Sequence, residues 1–563
     1  MLENTLKAAQ LDETSANFAT ADHHLTKRRW LMGFILCAAG LVACCLLTVT
    51  PLIRIPDPVL SLHLTPGTGL AAISTWLPRT LAGLNTSTSA YSELFGLLSL
   101  AFLCYGLAAL LVRRAPATDD QRVVRGVIWL STLLIGIIYV ATPAMLSHDI
   151  LVYASYSRVL ATYHANPYFV PIANFPQDPF AIHNYWSKVV SAYGPVWMLV
   201  CGFSGWLLHP DQSSYTLAFR SFALLFDLIN IWLVGRILQM MGRSARTATL
   251  GMLLYAWNPL LLLESGLGGH NDGFMMTFVL AGILLAVRSE KRGQLLRARG
   301  YLPVVIMLTL AALVKFTALP ILAAYLLFLA CKALRPIADN PHLLRQIARN
   351  WRLIVPIAWS ALAAALIALA LYGPFWFGHS LTDIIGSFKN PPSSLYAENS
   401  FMRSIAEWQM HHPALHNSLL TLLGNRHFWD DLTIAGISLC LLFGVRQFWQ
   451  KPTTRTFIVI SLATMSIVLL ITPWFFGWYI TWLLGLSAVC LPVSLNRFEA
   501  ALLALVSAFS FSALFTYLFN GNLFGSHYYL VSLFTTLPPT CAFLLTLVLW
   551  KPIHNAKAGV QKV

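Results

Sequence analysis

The chain has 563 residues, of which 57% are hydrophobic and only 10% charged, where a soluble domain carries about a quarter charged residues. Its formal charge is +15, but Lys and Arg stand in short clusters between long apolar runs, as in cytoplasmic loops, and not along a nucleic-acid-binding face. These figures exclude a soluble enzyme and a nucleic-acid partner. They predict an all-α polytopic membrane protein, because a spanning helix needs about 20 mostly apolar residues and many such runs are present.

Residues 1–29 are polar, end on Lys27-Arg28-Arg29, and read as a cytoplasmic tail. They are not a cleavable leader, since the apolar run that follows is of full spanning length. Spans over about 30–51, 92–112 and 126–146 then alternate, with Arg113, Arg114, Arg122 and Arg125 on the inside, so the chain after 146 emerges on the extracytoplasmic side. An external loop is predicted over 147–214. Its stretch 193–208 is short and opened by Gly194-Pro195, and reads as a surface or re-entrant helix.

Spans over about 215–238, 247–266 and 273–288 lead to the basic cluster Arg288, Lys291, Arg292, Arg297 and Arg299. Residues 301–333 are too long for one crossing and too short for two ordinary ones. Two short helices meeting near Lys315–Pro320 keep Arg335, Arg345, Arg349 and Arg352 inside. Spans over about 353–373, 431–446, 456–473, 479–495, 499–517 and 528–550 complete a bundle of about 14 helices, with an external loop at 374–430 and a cytoplasmic tail at 551–563. The chain thus divides into a catalytic module, 30–333, and a C-terminal module, 334–550. The nine cysteines lie in or beside apolar runs without metal-ligand spacing and read as small core- or lipid-facing residues.

Four places carry chemistry. The first is Ser147-His148-Asp149, a carboxylate where a span ends. Residues 149–165 read as an amphipathic helix with Asp149, Tyr153, Tyr156, Leu160 and Tyr163 on one face. Asp149 is then either a helix cap or a general base beneath an aromatic platform suited to sugar or lipid. Arg158 falls on the opposite side and is expected to contact phospholipid headgroups. The second is the glycine-rich loop Glu264 to Gly273, on the same outer side. Its His270, Asn271 and Asp272 form either a polar turn capping the next helix or a second wall of the site. His270 with Asp272 lacks a third ligand, so a divalent metal is possible but unsupported by spacing.

The third is Lys315, between apolar neighbours, which either snorkels or neutralises a phosphate from a buried position. The fourth is the outer rim. The 374–430 loop, with Glu398, Arg403, Glu407, His411, His412 and His416, is expected to cover a substrate. Pro473-Trp474 to Trp478-Tyr479 is either an interfacial aromatic belt or a lipid groove.

These motifs have a familiar order. Asp149, Val152-Tyr153, Asn166-Pro167-Tyr168 and Tyr193-Gly194-Pro195 are followed by Asn258-Pro259, Gly269-His270-Asn271-Asp272, Lys315-Phe316-Thr317 and Pro473-Trp474 to Trp478-Tyr479. Over about residues 140–480 the chain resembles the GT-C superfamily of membrane glycosyltransferases, in particular the bacterial polyprenol-phosphate-mannose-dependent alpha-1,6-mannosyltransferases. The resemblance implies inverting transfer of a hexose, with mannose the expected sugar, from a polyprenyl-phosphate donor. The acceptor would be a hydroxyl of a glycolipid or glycan on the extracytoplasmic side of a bacterial plasma membrane.

It further implies Asp149 as the catalytic base, with substrate-binding roles for His148, Tyr153, Asn166, Tyr168, Glu264, His270, Asn271, Asp272, Lys315, Arg403, Trp474 and Tyr479. Lys315, Arg403 and His270 are the candidates to receive the phosphate's charge, and no cofactor is expected. Relatives with paired acids in the first loop have a second acid where this chain has Leu151, which favours a lone base over metal chelation. The alternative is a transporter or flippase of lipid-linked saccharide. Transporters place ionisable residues near the bilayer midplane and often show two related halves; here the candidates cluster at outer helix ends and no internal repeat is visible.

Overall fold

The computed structural model describes residues 29–54, 87–115, 121–337, 354–389, 397–413, 417–491, 496–520 and 530–550. The expected tails before residue 29 and from 551 onward, together with His416, Arg345, Arg349 and Arg352, lie outside the described residues. Among the described residues the elements are helical, with one isolated bridge between Glu398 and Trp474. Eleven helices among the described residues are long and apolar enough to cross a membrane, from Arg29–Arg54 to Leu530–Leu549. The protein is an all-α polytopic membrane protein.

The other three expected spans fall on shorter or broken helices, for local reasons. The 247–266 run is interrupted at Asn258-Pro259 into Ala245–Ala256 and Pro259–Gly266. Pro259 has no N–H to continue the first piece, and Asn258 Oδ1 accepts the Leu261 N–H at 3.2 Å, capping the second. Ala298–Val314 ends at Lys315, whose backbone is extended, and a short turn through Phe316–Ala318 leads into Leu319–Leu334 with a proline in its first turn. Ile480–Val489 is only ten residues long. Where a surface or re-entrant helix was expected, Pro195–Leu207 is a short helix that packs on the Asp149–Ala161 helix.

One end of the bundle is tied together by basic residues. Arg125 donates to the Ala245 carbonyl and Arg246 to the Ala115 carbonyl, at 2.9 and 2.6 Å. Lys332 reaches the Pro452 carbonyl at 3.1 Å, and Arg455 pairs with Glu499 at 2.7 Å. The opposite end holds Asp149, the glycine-rich loop, Lys315 and the 472–479 segment around one cavity.

A single apolar cluster runs from Phe34 to Tyr517 and includes residues on both sides of the 333/334 boundary. In lipid, helix association rests on close packing through small residues more than on the hydrophobic effect. A Cβ built on Gly205 would lie 2.4 Å from the Ser157 carbonyl oxygen, so this glycine lets Pro195–Leu207 approach the Asp149 helix backbone to backbone. Gly194 is tighter still. Its absent Cβ would lie 2.0 Å from the Leu313 oxygen, and its N–H donates to the Val314 carbonyl at 3.0 Å. Gly194→Ala is therefore expected to lower stability by about 1–3 kcal/mol, read as a lower thermal unfolding midpoint of the detergent-purified protein. An unchanged midpoint would mean that the two backbones are not in contact.

Candidate active site

The approach to Asp149 is set by an arginine that the sequence reading did not single out. Helix Gln121–Val140 stops short of the expected residue 146. The carbonyls released by residues 142–144 are taken up by Arg220, which is fully buried. Its guanidinium donates to the Thr142 oxygen at 2.6 Å and to the Ala144 oxygen, and through Nε to the Leu267 oxygen at 2.7 Å. One planar fork thus joins the segment before Asp149 to the loop that carries His270. The available signal was a charge inside an apolar run.

Asp149 begins its helix, and its N–H donates to Ser147 Oγ at 3.1 Å. Its carboxylate caps no backbone N–H among the described hydrogen bonds. It instead accepts from Tyr153 and Tyr193 hydroxyls at 3.3 and 3.4 Å and meets His270 Nδ1 at 3.1 Å, while 18% of the side chain stays exposed. The expected 149–165 helix ends at Ala161. Beyond it His164 takes a positive φ and Asn166 holds the turn, accepting the Tyr168 N–H and donating to the Phe375 carbonyl.

His270 is held by the glycines around it. Gly269 has φ +62°, and a Cβ on Gly268 would lie 2.5 Å from both the His270 ring and the Glu264 carbonyl oxygen. His270 Nε2 is 3.2 Å from Glu264 Oε2, and the ring stacks on Trp478 at 4.0 Å between centroids. Burial pushes the imidazole pKa down, but the hydrogen bonds and charges of Asp149 and Glu264 outweigh it and lift the value to about 9. Burial likewise pushes the Asp149 carboxyl up. The His270 hydrogen bond and charge, aided by the Lys315 charge, overcome that and hold it below the ordinary aspartate value. At neutral pH Asp149 is a carboxylate beside an imidazolium.

Asp272 opens the next helix without capping it. Its Oδ1 accepts from Lys315 Nζ at 2.8 Å and from Trp482 Nε1 at 2.6 Å. The ammonium lies 4.4 Å from the Tyr479 ring centroid and 5.3 Å from that of Trp482. Lys315 therefore does not snorkel away; its side chain is 12% exposed, Asp272 2%.

Asp149 and Lys315, with Tyr479 and Trp482, border a cavity of about 990 Å³, within the range of ligand sites. Its lining carries His148, Asp149, Tyr156, Tyr168, Tyr185, Trp186 and Tyr193 from the first loop and its helix, together with Lys315, Trp474, Phe476, Trp478, Tyr479 and Trp482 from later in the chain. Trp186 meets Trp474 edge-on at 5.9 Å. Part of the expected covering loop also reaches the cavity. Phe388, Glu398, Asn399, Arg426 and Asp430 line it, and Glu398 exchanges backbone hydrogen bonds with Pro473 and Phe475, both at 3.0 Å.

Other sequence expectations need correction. His270 is 2% exposed and does not border the cavity, because both ring nitrogens face carboxylates; it is not available to a phosphate. Arg403 pairs with Glu407 at 2.8 Å one helical turn away and is not brought to the cavity. Tyr153, Glu264, Asn271 and Asp272 are buried outside the lining, and half-buried Asn166 is not part of it either. Arg158, expected at lipid headgroups, pairs at 2.8 Å with buried Asp178, which also accepts from Tyr163 at 2.9 Å and so draws that tyrosine off the expected platform. His411 and His412 meet carbonyls one turn back. Among the described residues no three His, Cys, Asp or Glu side chains gather as metal ligands. Tyr193, Trp478 and Trp482 were missed as site residues, although the first two lie in motifs already noted.

Comparison with known proteins gives three matches. The family model described as "Alpha-(1->6)-mannopyranosyltransferase, N-terminal domain" matches residues 37–331, just over half the chain. Alpha-(1->6)-mannopyranosyltransferase A of Mycobacterium tuberculosis (strain ATCC 25618 / H37Rv) is 25% identical over 407 residues, covering 70% of this chain and 69% of that protein. A probable alpha-(1->6)-mannopyranosyltransferase of Mycolicibacterium smegmatis (strain ATCC 700084 / mc(2)155) is 25% identical over 207 residues, 36% of this chain and 35% of its own length.

Proposed function

This chain belongs to the alpha-(1->6)-mannopyranosyltransferase family, and on that premise we propose that it moves mannose from a polyprenyl-phosphate donor to a saccharide hydroxyl, with inversion, at the extracytoplasmic face. It is a membrane glycosyltransferase. The observation that carries the finer reading is the Asp149 carboxylate, held below the ordinary aspartate value and open to a cavity that Lys315 also lines.

The acceptor O–H lies against Asp149, which takes its proton as the acceptor oxygen bonds to the anomeric carbon. The bond from that carbon to the phosphate oxygen breaks on the opposite face, and its electron pair leaves with the lipid phosphate. Lys315 receives the growing phosphate charge; the positioned base and cation act only once acceptor and donor are held together. The aromatic side chains offer faces for sugar rings, and apolar Phe316, Phe388, Ile434, Val468 and Leu469 in the same lining suit the chain of a lipid donor. The basic clusters at the opposite end favour a cytoplasmic position for that end, which supports the reading of an extracytoplasmic cavity.

The test supplies membranes from expressing cells with labelled polyprenyl-phosphate mannose and determines the linkage and anomeric configuration of the product. An axial product from an equatorial donor is expected. Transfer from a nucleotide sugar alone, or retention of configuration, would refute the reading. No metal takes part in these steps, so EDTA-washed membranes are expected to keep their rate; a loss restored by a divalent cation would require one.

A further inference from the structure

Behind the cavity, one imidazole sits between two carboxylates. His270 Nδ1 faces Asp149 at 3.1 Å, Nε2 faces Glu264 at 3.2 Å, and the ring lies flat on Trp478, whose indole borders the cavity. Asp149 alone of the three reaches the cavity. Glu264 is 2% exposed and cannot touch a substrate, so its place in a reaction site calls for another account. We infer that Glu264 is a positioning residue that holds His270 as a cation, and that this buried cation keeps the floor of the cavity receptive to an anionic donor.

The charges around the pair explain the need. Counted as fully ionised, Asp149, Glu264 and Asp272 bring three negative charges and Lys315 and His270 two positive ones; burial pushes the Glu264 carboxyl up, and the His270 charge opposes that push. The cluster has a formal net charge of −1, which a neutral imidazole would make −2. An incoming phosphate raises the cost of every carboxylate near it, and among buried groups that cost is poorly screened.

The remaining groups facing the pair do not replace the histidine's charge. Tyr153 and Tyr193 donate hydrogen bonds to Asp149. Arg220 approaches from its own helix but spends its donors on backbone carbonyls. Tyr479 carries the Lys315 ammonium on its face. Tyr517 stands across Gly477 from Glu264, its hydroxyl and Glu264 Oε1 lying 3.1 and 3.2 Å from the position of an added Cβ. Glu264 Oε1 has no hydrogen-bond partner among the described residues, so that carboxylate's attachment to the site runs through His270 alone.

The inference rests on the proposed anionic donor, but part of its test does not. His270, with a pKa of about 9 against 6.5 unperturbed, contributes stability that is complete below pH 6.5 and lost as pH rises through 9. Thermal unfolding midpoints of the full-length protein in detergent, measured from pH 6 to 10, are expected to show this fall. Glu264→Gln, which preserves shape, is expected to move it down by about one pH unit or more. His270→Gln is expected to remove that component.

In transfer assays, kcat/KM for the lipid phosphate should lose activity above about pH 9 in the native enzyme, with the limb moving down in Glu264→Gln and kcat much less affected. His270→Gln should instead raise the acid limb set by Asp149. A basic limb and unfolding profile that Glu264→Gln leaves where they were would overturn the inference, whatever the enzyme's substrate. Absence of transfer from any lipid-phosphate hexose, with the unfolding shift intact, would overturn the donor reading and leave the Glu264–His270 linkage standing. If Glu264→Gln does not fold, His270→Gln decides on the same two profiles.

Discussion

Asp149→Asn is expected to reduce mannose transfer by about 10²–10⁴-fold, the usual contribution of a general base, while the protein inserts and purifies normally. The substitution is nearly isosteric. The amide oxygen still accepts from Tyr153 and Tyr193, and the surrounding packing of buried Ile150, Leu151 and Val152 is untouched. What is lost is the proton acceptor facing the cavity and the negative partner of His270. The loss should appear in kcat, with the KM for the lipid donor changed far less, since the amide removes an interaction made mainly in the transition state. Activity within a few-fold of the native enzyme would show that another group takes the acceptor proton.

Lys315→Met is expected to be the most destabilising single change at the site. Asp272 is 2% exposed and its Oδ1 is shared between Lys315 and Trp482. Removing the ammonium leaves a buried carboxylate with one neutral donor, a change that typically costs about 3–5 kcal/mol. Pairing it with Asp272→Asn should recover much of that loss, because the charge is then absent from both sides. The double variant separates structure from chemistry. Its unfolding midpoint should approach that of the native protein, while its KM for the lipid phosphate stays raised, because the Lys315 ammonium is gone from the cavity lining. A double variant with native donor affinity would remove Lys315 from the phosphate site.

Much of the architecture was legible because lipid imposes strict rules. Every backbone group must be satisfied within a helix, so apolar runs of about 20 residues announce spans, and clusters such as Arg113-Arg114 and Arg288 to Arg299 fall at one set of helix ends. The break at Lys315 was foreseeable from length and Pro320. The pairing of Asp149 with the glycine-rich loop was foreseeable only as a shared side.

Helical phase misled where side chains found closer partners. Tyr163 shares a face with Asp149 on a helical wheel, but Asp178 draws it away, and the same carboxylate takes Arg158. His270 looked like a phosphate ligand because a histidine in a polar loop shows no sign of what its two nitrogens meet.

By itself the sequence determined the membrane class, the helices, the motif order and the carboxylate at residue 149. It could do so because these follow from composition, from periodicity and from local capping by Pro and Asn. The tertiary structure alone decided which polar groups touch substrate and which stand behind. Residues 149, 264, 270, 272, 315 and 478 are separated by up to hundreds of positions, and their roles depend on contacts of about 3–4 Å. At that range one charge sets another's ionisation, and no spacing along the chain reports the distance.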